Sequence, residues 1–163
     1  MKNTYKATMD SYANDVTAIA TLFLIAVLLL QCLILQFGGE GATISLSLFL
    51  ISLYSGAYLF KPTGYEITEA FLIIHMPSRN VTIPIKNLNK VEIIGKEKME
   101  RTRGLLGARG FFGYSGKFTN PQIGNFTAYA TRKSKMILIQ TDNDKKFILT
   151  PDKPAKFIKQ LKD

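Results

Sequence analysis

The run VTAIATLFLIAVLLLQCLILQF (Val16–Phe37), the turn GGEG (Gly38–Gly41) and the run ATISLSLFLISLYSGAYLF (Ala42–Phe60) decide how the rest of the chain is read. The first run holds 22 residues without a charge and the second 19. At about 1.5 Å of rise per residue, a helix of either length reaches across the roughly 30 Å hydrocarbon core of a bilayer. The pattern predicts two membrane spans, 16–37 and 42–60, joined by a tight turn. Fourteen residues of the first run are Leu, Ile, Val or Phe, which favours unaided insertion at about −0.3 to −0.6 kcal/mol each. The second run has only nine, and it carries Thr43, Ser45, Ser47, Ser52 and Ser55, so it needs a partner helix. Ser45, Ser52, Ser55 and Gly56 share one helical face, where small side chains let another backbone approach; the first span is the nearest candidate. Neither span carries an ionisable residue at membrane depth, which argues against a conduction or substrate path. Tyr54 and Tyr58 suit the headgroup level, and Pro62 blocks continuation of the helix.

Charge sets the direction. Lys2 and Lys6 precede the first span, the turn has no basic residue, and nineteen Lys or Arg follow from Lys61 onward, so both termini are expected to be cytoplasmic in a cell (inner) membrane. The first apolar run is longer than a signal-peptide core and no small-x-small cleavage site follows it. Leu29-Leu30-Gln31-Cys32 has Gln31 where a lipoprotein signal needs a small residue. Cys32 is the only cysteine, which excludes an internal disulfide and a Cys-based metal site. Residues 1–15 are expected as a frayed or interfacial lead-in, with Tyr5 and Tyr12 near the headgroups. The remainder, 61–163, is long enough for one domain with a single core.

From Gly64 the pattern changes to short β-type runs: Tyr65–Thr68, Phe71–Met76, Val81–Ile85, Asn87–Gly95, Asn125–Thr131, Met136–Thr141 and Lys146–Thr150. Runs rich in β-branched and aromatic residues, separated by turn residues, predict an antiparallel sheet or barrel. Pro84 places its residue on an edge or at a bulge. The chain then closes with a short amphipathic helix: Pro154 fits a first turn, and Phe157, Ile158 and Leu161 form an apolar stripe opposite Lys156, Lys159 and Lys162. The fold class is α+β, with a two-helix transmembrane hairpin followed by an antiparallel β-barrel of about seven strands capped by a C-terminal α-helix.

Residues 65–161 resemble the bacterial PH-domain proteins, a family of small membrane-anchored chains. The resemblance is carried by the glycine-rich run Gly104–Gly116, by Tyr129-Ala130-Thr131-Arg132, and by Thr150-Pro151-Asp152-Lys153-Pro154 with Phe157 and Leu161. It implies a pleckstrin-homology-like barrel and an adaptor role, without an agreed reaction or ligand. Phosphoinositide-binding PH domains crowd Lys and Arg around their first strands, whereas Met76–Asn80 here offers only Arg79, with Lys86 further on. Recognition of that type is not expected.

Gly104, Gly107, Gly110, Gly113 and Gly116 recur every third residue. Without proline they do not make a collagen helix, and without a following Gly-Lys-Ser/Thr they do not make a nucleotide loop. They read as bulges and tight bends where the sheet curls, with Phe111, Phe112 and Tyr114 packed into the barrel. The functional alternative is a membrane-contact loop, in which Phe111 and Phe112 dip into the headgroups while Lys96, Lys98, Arg101, Arg103, Arg109 and Lys117 meet anionic lipid. From Lys61 onward nineteen basic residues oppose nine acidic ones. Each basic residue held near an anionic leaflet contributes about 1 kcal/mol. No recognition-helix pattern supports nucleic acid. His75 is the only histidine, the carboxylates lie mostly beside turns, and Gly113-Tyr114-Ser115-Gly116 is not a nucleophile elbow. No catalytic residue, metal site or cofactor is assigned. The sequence reads as a non-enzymatic, membrane-anchored binding module whose partner is anionic lipid or a protein; the alternative is an accessory subunit docked through Ser45, Ser52, Ser55 and Gly56.

Overall fold

The computed structural model describes residues 3–35 and 40–162. Its elements run β1 (Asn3–Lys6), α1 (Ser11–Leu35), α2 (Glu40–Leu59), β2 (Gly64–Ile67), β3 (Phe71–His75), β4 (Asn80–Pro84), β5 (Leu88–Ile94), β6 (Arg103–Gly110), β7 (Gly113–Asn120), β8 (Gly124–Ala130), β9 (Met136–Thr141), β10 (Lys146–Leu149) and α3 (Pro154–Lys162). The α+β class and the order of hairpin, strands and closing helix are as expected. Both α1 and α2 are long and apolar enough to cross a membrane by length and composition, and most of their Leu, Ile and Phe side chains are exposed. The expected turn at Gly38–Gly41 and the end of the first run lie partly outside the described residues.

Four expectations are corrected. The described strands number ten rather than seven. They form two sheets, β1-β2-β3-β4 and β5-β9-β10-β8-β7-β6, rather than a closed barrel. One neighbouring pair, β8 with β10, is parallel. The N-terminal lead-in is not frayed either: Asn3–Lys6 pairs antiparallel with β2, Tyr5 facing Tyr65 and Lys6 facing Gly64. Tyr5 explains the difference, because its ring is buried edge-on against Phe157 with centroids 5.0 Å apart, so the strand gains core packing that a bare polar tail lacks. The apolar hairpin is therefore inserted between two adjacent strands of one sheet.

The helix starts inside the folded domain. Asp10 Oδ1 accepts from Ala13 N–H at 2.9 Å, the N-cap arrangement, and Ala13 is fully buried. Along the helices the contact seam is Gln31 with Ser47 (2.5 Å) and Thr21 with Tyr54 (2.7 Å). Thr43, Ser47, Leu50 and Tyr54 are among the less exposed residues of α2, at spacings of four, three and four.

Strand alternation fills two cores. Ile137, Ile139 and Leu149 of the six-stranded sheet pack with Tyr65, Leu72 and Ile74 of the first sheet and with Phe157 and Leu161 of α3. The opposite side chains of the same strands, Met136, Leu138 and Ile148, join Tyr114, Phe118, Phe126, Ala128 and Ala130. That second layer meets only the start of α1, through Ala13, with Met9 and Met99 beside it, and it is where the candidate site lies. Pro84 ends β4 at the edge of the first sheet, as its missing N–H requires.

Candidate functional site

The glycine-rich run, expected as bulges and tight bends, forms a long hairpin of β6 and β7 with a register shift between Gly104 and Leu106 and a tight turn between Gly110 and Gly113. Gly107 and Gly116 face each other across it at φ of 130° and 134°, and a Cβ on either would collide with a carbonyl oxygen of the partner strand. Only glycine allows this close approach at positive φ. Sequence propensity misses these strands because glycine is depleted in sheets.

The hairpin tip meets the apolar helices. Phe112 N–H donates to Thr17 Oγ1 at 2.9 Å, and its ring lies 5.2 Å from Tyr54 and 5.5 Å from Tyr58, edge to face. Phe111 stands 5.5 Å from Tyr54, and Lys61 Nζ lies 5.9 Å from the Phe112 ring. The two phenylalanines are thus wedged against the ends of α1 and α2 and do not project freely from a loop. Asp10 adds a second clamp: Oδ2 accepts from Lys133 N–H at 3.0 Å, and Tyr114 Oη donates to Oδ1 at 3.4 Å. Burial, with Asp10 beside it, holds the Tyr114 hydroxyl well above the ordinary phenol range.

The residues that stay exposed are others. Leu105 and Leu106 on the edge strand β6 are 62% and 75% exposed, flanked by Arg103 and Arg109. Leu106 shares a groove of about 690 Å³ with Gly56, Ala57 and Phe60 at the end of α2 and with Arg79 and Lys117. On the other side of the same hairpin a cavity of about 470 Å³ has Lys96, Arg101 and Arg109 on its rim, together with Arg132 and Lys133. The structure therefore brings Lys96 and Arg101 to the cavity and Lys117 to the groove, with Arg109 lining both. Arg103 is exposed at the start of β6. Lys98 instead pairs with Glu92 at 3.4 Å, beside Lys90, and these two lysines hold the Glu92 carboxyl below its usual range. Leu105, Leu106, Arg132 and Lys133 stand beside these candidates and are not singled out by the sequence. The adjacent leucines in an otherwise glycine- and arginine-rich run were the signal for the first two.

The span residues singled out for packing are placed differently. Ser45, Ser52 and Ser55 are exposed on the outer side of α2, with Ser45 and Ser52 hydroxyls donating to the carbonyls of Gly41 and Leu48 in their own helix. They do not form the seam with α1, because the polar anchors Gln31 and Thr21 orient α2 by Ser47 and Tyr54 instead. Gly56 lines the groove. His75 lies between Glu66 and Asn80, its Nε2 and Nδ1 each 3.0 Å from an oxygen of those side chains. Among the described residues no cluster of three or more His, Cys, Asp or Glu could hold a metal.

A family profile described as Bacterial PH domain matches residues 63–163, more than half of the chain. The chain belongs to the bacterial PH domain family. Comparison with curated proteins and with solved structures gives no match. The bacterial PH domain of this chain also takes in β1, which precedes the matched segment and lies on the far side of the helical hairpin. PH domains are in general binding modules without a catalytic centre.

Proposed function

We propose that this bacterial PH domain is a non-enzymatic module anchored in the inner membrane by α1 and α2, with both termini cytoplasmic, and held by its β6 edge against the anionic leaflet. The observation that carries this reading is the exposed pair Leu105-Leu106, set between Arg103 and Arg109 and sharing a groove with Phe60 at the end of α2. Two solvent-facing leucines on an edge strand are an aggregation liability in water, and they gain several kcal/mol if the edge enters the headgroup region. Insertion of the hairpin between two paired strands returns the chain to the same side, in agreement with the Lys and Arg distribution. Because only Pro62 and Thr63 lie between Lys61 and β2, the domain has little slack from the bilayer.

The chain has no tryptophan, so Leu106→Trp provides a single reporter. In the full-length protein reconstituted into vesicles containing phosphatidylglycerol, its emission is expected to be blue-shifted and quenched by brominated acyl chains. Solvated, unquenched emission would sink the seating. The outward Ser45, Ser52 and Ser55 favour a second reading, an accessory subunit that packs another helix on this face of α2. In that case Ser52→Leu disrupts assembly with the partner and leaves the Leu106→Trp signal unchanged.

A further inference from the structure

The cavity on the side of the six-stranded sheet away from α3, about 470 Å³, falls in the size range of small-molecule sites. Its floor is apolar: Phe118, Phe126, Ala128, Ala130, Met136 and Ile148. Phe118 and Phe126 stack with centroids 5.7 Å apart and close one end. Ala128 and Ala130, on the inner strand β8, leave a trough that any larger side chain would occupy.

The rim has the opposite character. Lys96, Arg101, Arg109 and Lys133 stand there against one carboxylate, Glu100. Arg132 also lines the wall, but its guanidinium is ion-paired with Asp152 and donates to Thr8 Oγ1, so it adds no free charge. Arg109 lies back across Gly104, whose missing Cβ makes room for it, and its Nη2 donates to the Gly104 carbonyl at 3.1 Å. Lys133 holds its ammonium 4.6 Å from the Tyr12 ring and 5.1 Å from the Tyr114 ring.

A half-open apolar trough with a surplus of cations at its mouth is complementary to an amphiphile with one hydrocarbon chain to bury and an anionic head. We propose that the cavity takes one acyl chain of an anionic phospholipid, with the headgroup phosphate among Lys96, Arg101, Arg109 and Lys133. A free phosphate would answer the rim and leave the floor wet; a zwitterionic lipid would fill the floor and leave the cations unanswered. The source of the lipid is the adjoining leaflet. Gly110, next to Arg109, lies so close to Tyr12 of α1 that a Cβ there would be 2.8 Å from its ring, and Val16, where the apolar run begins, is the next neighbour. This inference rests on the membrane seating proposed above.

The test uses the full-length protein in phosphatidylcholine nanodiscs doped with a phosphatidylglycerol that bears a photoactivatable diazirine on one chain, with the matching phosphatidylcholine probe as control. Peptide mapping is expected to find the phosphatidylglycerol probe on the segment 118–136, with much weaker labelling by the control. Ala130→Leu fills the trough at constant charge and is expected to abolish that labelling; Ala128→Val serves the same purpose if the first variant folds poorly. Lys96→Gln combined with Arg109→Gln is expected to reduce it by about tenfold or more, at roughly 1 kcal/mol per basic residue. Labelling confined to Leu105, Leu106 and Phe60 would overturn the cavity site and leave the seating intact. Equal labelling by the two probes would overturn selection by charge, and displacement by glycerol phosphate would overturn the need for a chain. Cavity labelling that persists while Leu106→Trp stays solvated would instead count against the seating alone.

Discussion

Tyr65 joins the two sheets through one buried phenol. Its hydroxyl donates to the Tyr129 carbonyl at 2.5 Å and accepts from Thr150 N–H at 3.1 Å, and the side chain is fully buried. Burial pushes its pKa from 10.0 up to about 12. The folded state therefore favours the protonated phenol: the corresponding stability is fully present below pH 10 and is lost as pH rises from there through about 12. The amount is on the order of 2–3 kcal/mol. Tyr65→Phe removes the hydroxyl's bonds to the Tyr129 carbonyl and the Thr150 N–H, which costs about 1–3 kcal/mol at neutral pH, and it removes this share of the alkaline loss. Thermal unfolding of both proteins from neutral pH upward checks it; equal alkaline slopes would show that another group titrates. At the candidate site, Arg101 and Arg109 were legible as basic residues near a glycine run. That Arg109 reaches a cavity while Lys98 is paired with Glu92 of β5 follows from side-chain directions that only the folded chain sets.

Among the elements, β1 carries the least expected consequence. Four residues ahead of the helical hairpin complete the first sheet, and Thr131 Oγ1 and Asp152 N–H donate to the carbonyls of Thr8 and Lys6. A fragment beginning at residue 61 loses β1, the Tyr5–Phe157 contact and both of these bonds. It is expected to unfold at lower temperature than the intact domain, with fast hydrogen exchange along β2. Lys6 and Gly64 face each other in register, so a short turn placed between β1 and β2 in exchange for the hairpin can close the sheet. That chimera is expected to recover the protection of Tyr65 and Glu66 amides. Equal protection in fragment and chimera would mean that β1 contributes nothing. The strands from β2 to β5 and from β8 to β10 were legible because their β-branched runs pack a face. β1 was not, since its contribution lies in one tyrosine whose partner is 152 residues away in sequence. The glycine hairpin was not either, since its strands are defined by backbone geometry.

At the scale of the whole molecule, a surplus of ten positive charges from Lys61 onward sits on a domain clamped to its apolar helices by Phe111, Phe112 and Asp10. A rigid attachment turns a diffuse charge excess into an oriented one. Hydrogen exchange of the full-length protein in nanodiscs is expected to show added protection on β6 (Arg103–Gly110) when neutral lipid is replaced by phosphatidylglycerol, and loss of that protection in high salt, because exposed charges are screened over about 10 Å at 0.1 M ionic strength. Protection indifferent to lipid charge would place the edge away from the leaflet.

By itself the sequence determined the two apolar helices, the α+β class, the family and the basic character of the domain. The helices, the class and the charge depend on local composition or periodicity, which is written residue by residue; the family rests on a resemblance carried by particular motifs. Only the tertiary structure decided that β1 belongs to the domain, that the hairpin is an insertion within a sheet, that Phe111 and Phe112 are taken up by the helices, and that Leu105, Leu106 and a cavity rimmed by Lys96, Arg101, Arg109 and Lys133 are left open. Those outcomes turn on which distant side chains compete for the same surface. Burial free energy is gained only once the strands have paired, and no window of the chain contains both competitors.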